Sequence, residues 1–129
     1  MAKEVRENIF LAEMGELSKI IDLVVERAEE FGIHPKRIMH IQLGVEEAVV
    51  NIVNYAYEVP PGELLVRTWS EGDNLTVEFV DNGIPFDPLS LEEPDLKADI
   101  AERNVGGLGV FLIRRVMDQV YYRRENDRN

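Results

Sequence analysis

The sequence predicts an α+β fold, a two-layer sandwich with helices packed on one face of a mixed or antiparallel sheet, and three observations predict it. The elements run strand, helix, helix, hairpin, loop, helix, strand. Two central strands are separated by a tight turn around Gly72-Asp73-Asn74, and the regular strand-helix alternation of a parallel, doubly wound sheet is missing. At 129 residues the chain fits one domain, 1–129, and 45% apolar residues supply a core.

Val5, Ile9 and Leu11 lie on one side of an alternating segment, predicting a strand over 5–12. Leu17, Ile20, Ile21, Val24, Ala28 and Phe31 then adopt helical spacing, and Gly32 stands where a left-handed C-cap is expected. Pro35 suits the first turn of a second helix, which Pro60-Pro61-Gly62 stops. Glu63 to Ser70 and Leu75 to Asp81 are the hairpin strands. From Asp81 to Gly106 a polar run broken by Gly83, Pro85, Pro88 and Pro94 predicts a lid or binding loop, with a short helix at about 95–102. It carries Asp87, Glu92, Glu93, Asp95, Asp99 and Glu102. Gly106-Gly107-Leu108-Gly109 then leads into a third helix, Val110 to Met117, and Gln119 to Arg124 reads as a last strand.

With no cysteine, disulfides, thiolate metal sites and thiol nucleophiles are excluded. No stretch of about 18 apolar residues occurs and the start has no basic-then-apolar leader, so a soluble cytoplasmic protein with no membrane partner is expected. A net charge of −11 argues against nucleic acid and suits a protein partner with a basic patch. His34 and His40 have no partner at metal-ligand spacing and read as surface or packing residues. Trp69, Tyr121 and Tyr122 read as sheet packing. Arg114, Arg115, Arg123 and Arg124 read as partners of the chain's own carboxylates.

Three segments carry chemistry. On the second helix, at about 100° per residue, Ile38, Ile41, Val45, Val49, Ile52 and Ala56 face one way, and Glu47, Asn51 and Asn54 face roughly opposite. Glu47 and Asn51 are one turn apart, so an amide oxygen could join substrate phosphates around a hard cation such as magnesium while the carboxylate takes a proton. The same three residues also read as the solvated side of an amphipathic helix. Asp81-Asn82-Gly83 ends a strand: the carboxylate could accept from the exocyclic amino group of adenine and Gly83 lets a ligand approach, although Asp-Asn-Gly is equally a common turn. The Gly106-Gly107-Leu108-Gly109 segment exposes backbone N–H groups at a helix start, where anions bind, or is simply a flexible loop with a tight helix start. Neither the P-loop nor the dinucleotide glycine pattern is present.

Taken together, EAVVNIVNYAY at 47–57, DNGIPFDP at 81–88 and GGLGVFLIRRVMDQV at 106–120 resemble the GHKL (histidine-kinase-like) ATPase superfamily, and within it the anti-sigma-factor serine/threonine kinases. That resemblance implies an ATP-dependent protein serine/threonine kinase using Mg2+, in which Glu47 is the general base or the residue that orients the attacking hydroxyl, and Asn51 is the magnesium ligand. It implies that Asp81 contacts adenine, that Gly83 passes under the base and that Gly106, Gly107 and Gly109 lie along the phosphates. Asn54 would add a polar contact and Arg103 a positive charge at the transferring phosphoryl group. The implied partners are a regulatory protein resembling an anti-sigma antagonist, which supplies the hydroxyl, a sigma factor, and a second copy in a homodimer. The alternative is a nucleotide-dependent binding module of the same fold without kinase activity. Two departures stand out. Tyr55 sits where that branch often has histidine, and the chain stops after Glu125-Asn126-Asp127-Arg128-Asn129, where relatives continue into a strand that floors the adenine pocket.

Overall fold

A computed structural model describes residues 4–59, 61–90 and 105–129. Strand β1 (Val5–Leu11) pairs antiparallel with β2 (Glu63–Glu71), which pairs antiparallel with β3 (Asn74–Asp81). The register places Phe10, Leu64 and Asp81 in one cross-strand row, Asn8, Val66 and Phe79 in the next, and Arg6, Thr68 and Val77 in the third. Leu64, Val66 and Thr68 of this face are fully buried, which identifies it as the helix side. The other face carries Ile9, Leu65 and Val80 in one row and Glu7, Arg67 and Glu78 in another, and Arg67 bonds both carboxylates. Gly72, at φ 61°, supplies the positive φ that the two-residue hairpin turn needs.

Helix α1 (Leu17–Phe31) buries Ile20, Val24 and Ala28 at helical spacing. It ends at Gly32, whose φ of 83° places it in the left-handed region. Helix α2 (Pro35–Tyr55) starts with Pro35 in its first turn, and the His34 ring Nδ1 accepts the Lys36 N–H at 3.1 Å. Ile41, Val45 and Val49 join the α1 residues, Leu64 and Val66 in the core, as the spacing predicts. Helix α3 (Val105–Val116) packs along α2 at Gly44, where a Cβ would stand 3.2 Å from Met117 Sδ. No helix among the described residues is long and apolar enough to cross a membrane.

The α+β architecture is the expected one, and the sheet is antiparallel throughout the described residues. Two elements differ. The third helix begins at Val105, not Val110, so the glycines expected as a loop are helical: packing on α2 outweighs a propensity penalty of about 1 kcal/mol per glycine. Gln119 to Arg124 is not a strand, and Tyr121 is 81% exposed. Alternation there lacks a row of hydrogen-bonding partners, without which an extended segment is not a strand. The short helix expected at 95–102 lies outside the described residues.

One charged group belongs to the core. Arg27 is buried between α1 and β2, donating from Nε to Thr68 Oγ1 at 3.1 Å and from a terminal nitrogen to Glu30 at 3.0 Å. Thr68→Val would keep the shape and leave Nε unpaired. Urea denaturation is expected to show a loss of about 1–3 kcal/mol, against a small effect for Glu26→Ala on the exposed side of α1.

Candidate functional site

The polar side of α2 divides into three environments. Asn51 is only 6% exposed, Glu47 is half-buried one turn before it, and Asn54 is exposed. A purely solvated face would show all three in water, so that reading fails at Asn51. Among the described residues its Nδ2 is buried with no hydrogen-bond partner, an uncommon condition for a buried amide. Burial pushes the Glu47 carboxyl above the ordinary glutamate range, and the neighbouring charge of Glu46 adds to the shift.

β3 ends on Asp81, which is 4% exposed. Its Oδ1 accepts the Gly83 N–H at 2.9 Å, so the turn expected of Asp-Asn-Gly is present and uses one carboxylate oxygen. Gly83 lies against the end of α2: a Cβ there would be 2.0 Å from the Ala56 carbonyl oxygen, and the next N–H, of Ile84, donates to that oxygen at 2.8 Å. The requirement for glycine at this point comes from contact between two backbones. Tyr57, just past the helix, accepts the Asn82 N–H at 3.0 Å and donates to the Glu63 carbonyl. Its ring covers Gly62, and burial raises its phenol pKa more than the Asn82 bond lowers it. Tyr55 stacks on Phe86 with ring centroids 5.6 Å apart, an apolar contact joining α2 to the loop after Asp81.

The last residues close on the same loop. Asn126 and Asp127 have φ of 55° and 60°, the pair of positive values a type I′ turn needs, and the bridge Glu125↔Arg128 closes that turn. Asn129 then exchanges backbone hydrogen bonds with Asp81, donating at 2.9 Å and accepting at 3.1 Å. Arg124 donates to the Gly83 carbonyl at 2.8 Å. Tyr57 and Asn129 carry contacts that the sequence did not single out, while Tyr122, expected to pack in a sheet, donates to the Asn129 amide, and Arg124, expected on a carboxylate, meets a carbonyl. Only Asn126-Asp127 left a signal, as a dipeptide tolerant of positive φ.

The first four N–H groups of an α-helix have no intrahelical acceptor. In the described part of α3 the first turn holds Val105, Gly106, Gly107 and Leu108, and Gly109 stands one position beyond them. Arg103 lies outside the described residues. No cluster of three or more His, Cys, Asp or Glu side chains that could hold a metal occurs among the described residues. The Asn51 amide oxygen is a ligand of the kind magnesium takes alongside phosphate oxygens and water. Asn51 fits, because its amide is buried beside Glu47 and no internal bond through Nδ2 fixes which end of it faces the site.

The family profile described as the histidine kinase-like ATPase domain matches residues 10–129. Among curated relatives, a protein named serine-protein kinase RsbW from Listeria monocytogenes is 33% identical over 102 residues, 74% of this chain and 65% of that one. One of the same name from Bacillus cereus is 30% identical over 97 residues, 72% of this chain and 61% of that one. The matches thus span somewhat under two thirds of those relatives' length. The contact at Gly83 is open to test whatever the chemistry. Gly83→Ala must push the loop away from Ala56, and a destabilisation of about 1–3 kcal/mol is expected in a denaturant titration, while Gly15→Ala, whose Cβ would meet only the Glu13 side chain at 4.0 Å, is expected to be near neutral.

Proposed function

Since the chain belongs to the histidine kinase-like ATPase family, we propose that it is an ATP-dependent protein serine/threonine kinase of the anti-sigma-factor type. It transfers the γ-phosphate of ATP to a serine or threonine of a regulatory partner protein. The observation that supports this most is the pairing on one face of α2 of a half-buried carboxyl with a raised pKa and a buried amide with a free nitrogen. A module that only bound nucleotide would need adenine and phosphate contacts and no base.

In this reading Glu47 accepts the proton of the incoming hydroxyl, for which a pKa raised toward neutrality is suited. Asn51 holds magnesium, which when bound neutralises charge on the phosphate oxygens. Backbone N–H groups of Gly106 and Gly107 lie along the phosphates, Gly109 continues that wall, and Asp81 accepts from the adenine amino group with Gly83 beneath the base. Asn54, exposed at the rim, adds a polar contact, and Arg103 adds charge at the phosphoryl group. The reading includes a cytoplasmic homodimer that also binds a sigma factor. Its net charge of −11 suits partners with basic surfaces.

The test is incubation with Mg-ATP and the serine-bearing regulatory proteins of its own cell, followed by mass spectrometry of those proteins. Phosphotransfer is expected, reduced about 10²–10⁴-fold in Glu47→Ala with nucleotide binding kept. Unmodified partners that associate only when ATP is present would instead identify a binding module. The raised pKa makes two further predictions. Phosphotransfer should rise with pH through a midpoint above that of an ordinary glutamate, about 4.3. The folded state holds the Glu47 proton more tightly than the unfolded chain, so the residue's contribution to stability is present below the ordinary glutamate pKa and lost as pH rises through the folded value. Glu47→Gln should therefore melt slightly above the wild type near neutrality and no higher at acidic pH, a small effect because much of the carboxyl is screened by water.

A further inference from the structure

Asn129 hydrogen-bonds the loop after β3 through both ends of its side-chain amide. Its Nδ2 donates to Asp81 Oδ1 at 2.9 Å and to the Ile84 carbonyl at 2.6 Å. Its Oδ1 accepts from the Phe86 N–H at 3.2 Å and from the Tyr122 hydroxyl at 2.6 Å. The type I′ turn at Asn126-Asp127 returns the chain so that the Asn129 backbone also pairs with Asp81 on the edge of β3 left open by β2.

These bonds divide the two oxygens of the Asp81 carboxylate. Among the described residues, both donors that reach it, Gly83 N–H and Asn129 Nδ2, fall on Oδ1. A buried carboxylate with one oxygen doubly bonded inside the protein cannot turn about its last torsion without breaking both bonds, so Oδ2 is held as the oxygen that accepts from a ligand. We propose that Asn129 is a positioning residue for base recognition, fixing the Asp81 carboxylate so that its second oxygen discriminates purines bearing an exocyclic amino group from those without one. This rests on the reading of Asp81 as the adenine acceptor. Asn129 acts through Asp81 and touches no substrate atom itself.

The test compares dissociation constants for ATP and for purine riboside triphosphate, which lacks the 6-amino group, by titration calorimetry on the whole chain with magnesium present. A general loosening of the fold lowers both affinities alike, whereas loss of positioning lowers their ratio. The wild type is expected to favour ATP roughly tenfold or more, as a hydrogen bond to a charged acceptor does. Asn129→Asp keeps the acceptor toward Phe86 and Tyr122 but removes the donor to Asp81. Asn129→Ala removes both. Each is expected to bring the ratio below about threefold. Asp81→Asn separates the two layers of the argument. A wild-type ratio in Asp81→Asn overturns the reading of Asp81 and this proposal with it. A collapsed ratio there, alongside a wild-type ratio in both Asn129 variants, overturns the proposal alone. Should neither Asn129 variant melt cooperatively, Tyr122→Phe, which removes only the hydroxyl anchoring the Asn129 amide, carries the test: a fall in the ratio supports the proposal and an unchanged ratio overturns it.

Discussion

The contact on which the site depends is backbone against backbone, where Gly83 passes the carbonyl end of α2. The Ala56 carbonyl belongs to the last turn of that helix and has no donor within it, and the Ile84 N–H supplies one at 2.8 Å. No side chain fits at Gly83, so the two elements approach as closely as main chains can. Tyr57 and the stacked pair Tyr55 and Phe86 flank this contact and add bonds that resist sliding. The helix bearing Glu47 and Asn51 and the strand bearing Asp81 are thereby set at one distance by contacts that involve none of the three.

Two buried polar centres on the sheet's helix side are treated differently. At Arg27 the desolvation of a guanidinium is offset within the protein, by a hydroxyl on β2 and a carboxylate on its own helix. At Asn51 the amide nitrogen is left without a partner, at a cost of about 1–3 kcal/mol for an unsatisfied buried donor. The first arrangement serves the fold. The second weakens it.

How far the sequence could be read follows from the range of the forces involved. The limits of α1 and the start of α2 were legible because Gly32 and Pro35 act through their own dihedral angles, and the hairpin because Gly72 does. The pairing of Glu47 with Asn51 was legible from helical spacing. Whether Asn51 or Asn54 would be buried was not, since that depends on how α2 packs against the rest of the chain. The start of α3 was misread because glycine propensity is local and the packing of α3 on α2 is not. At Gln119 to Arg124 the alternation was real, but pairing with β3 occurs only at Asn129. The role of Asn129 itself was beyond reach, since its partners on β3 and the loop after it are more than 40 residues away.

Charge placement reconciles an acidic chain with a polyanionic nucleotide. Away from the site, arginines are neutralised by carboxylates: Arg67 by Glu7 and Glu78, Arg37 by Asp118, Arg123 by Glu78 and Glu125. Beside the loop after β3 the pattern changes, for Arg124 bonds the Gly83 carbonyl and Arg114 the Leu89 carbonyl. A carbonyl orients a guanidinium without cancelling its charge, and among the described residues neither arginine has a carboxylate within ion-pair distance. At physiological salt, charges more than about 8 Å away are largely screened. A phosphate group near this loop would therefore feel these two cations and the first-turn amides of α3 more strongly than the net charge of −11 spread over the whole surface.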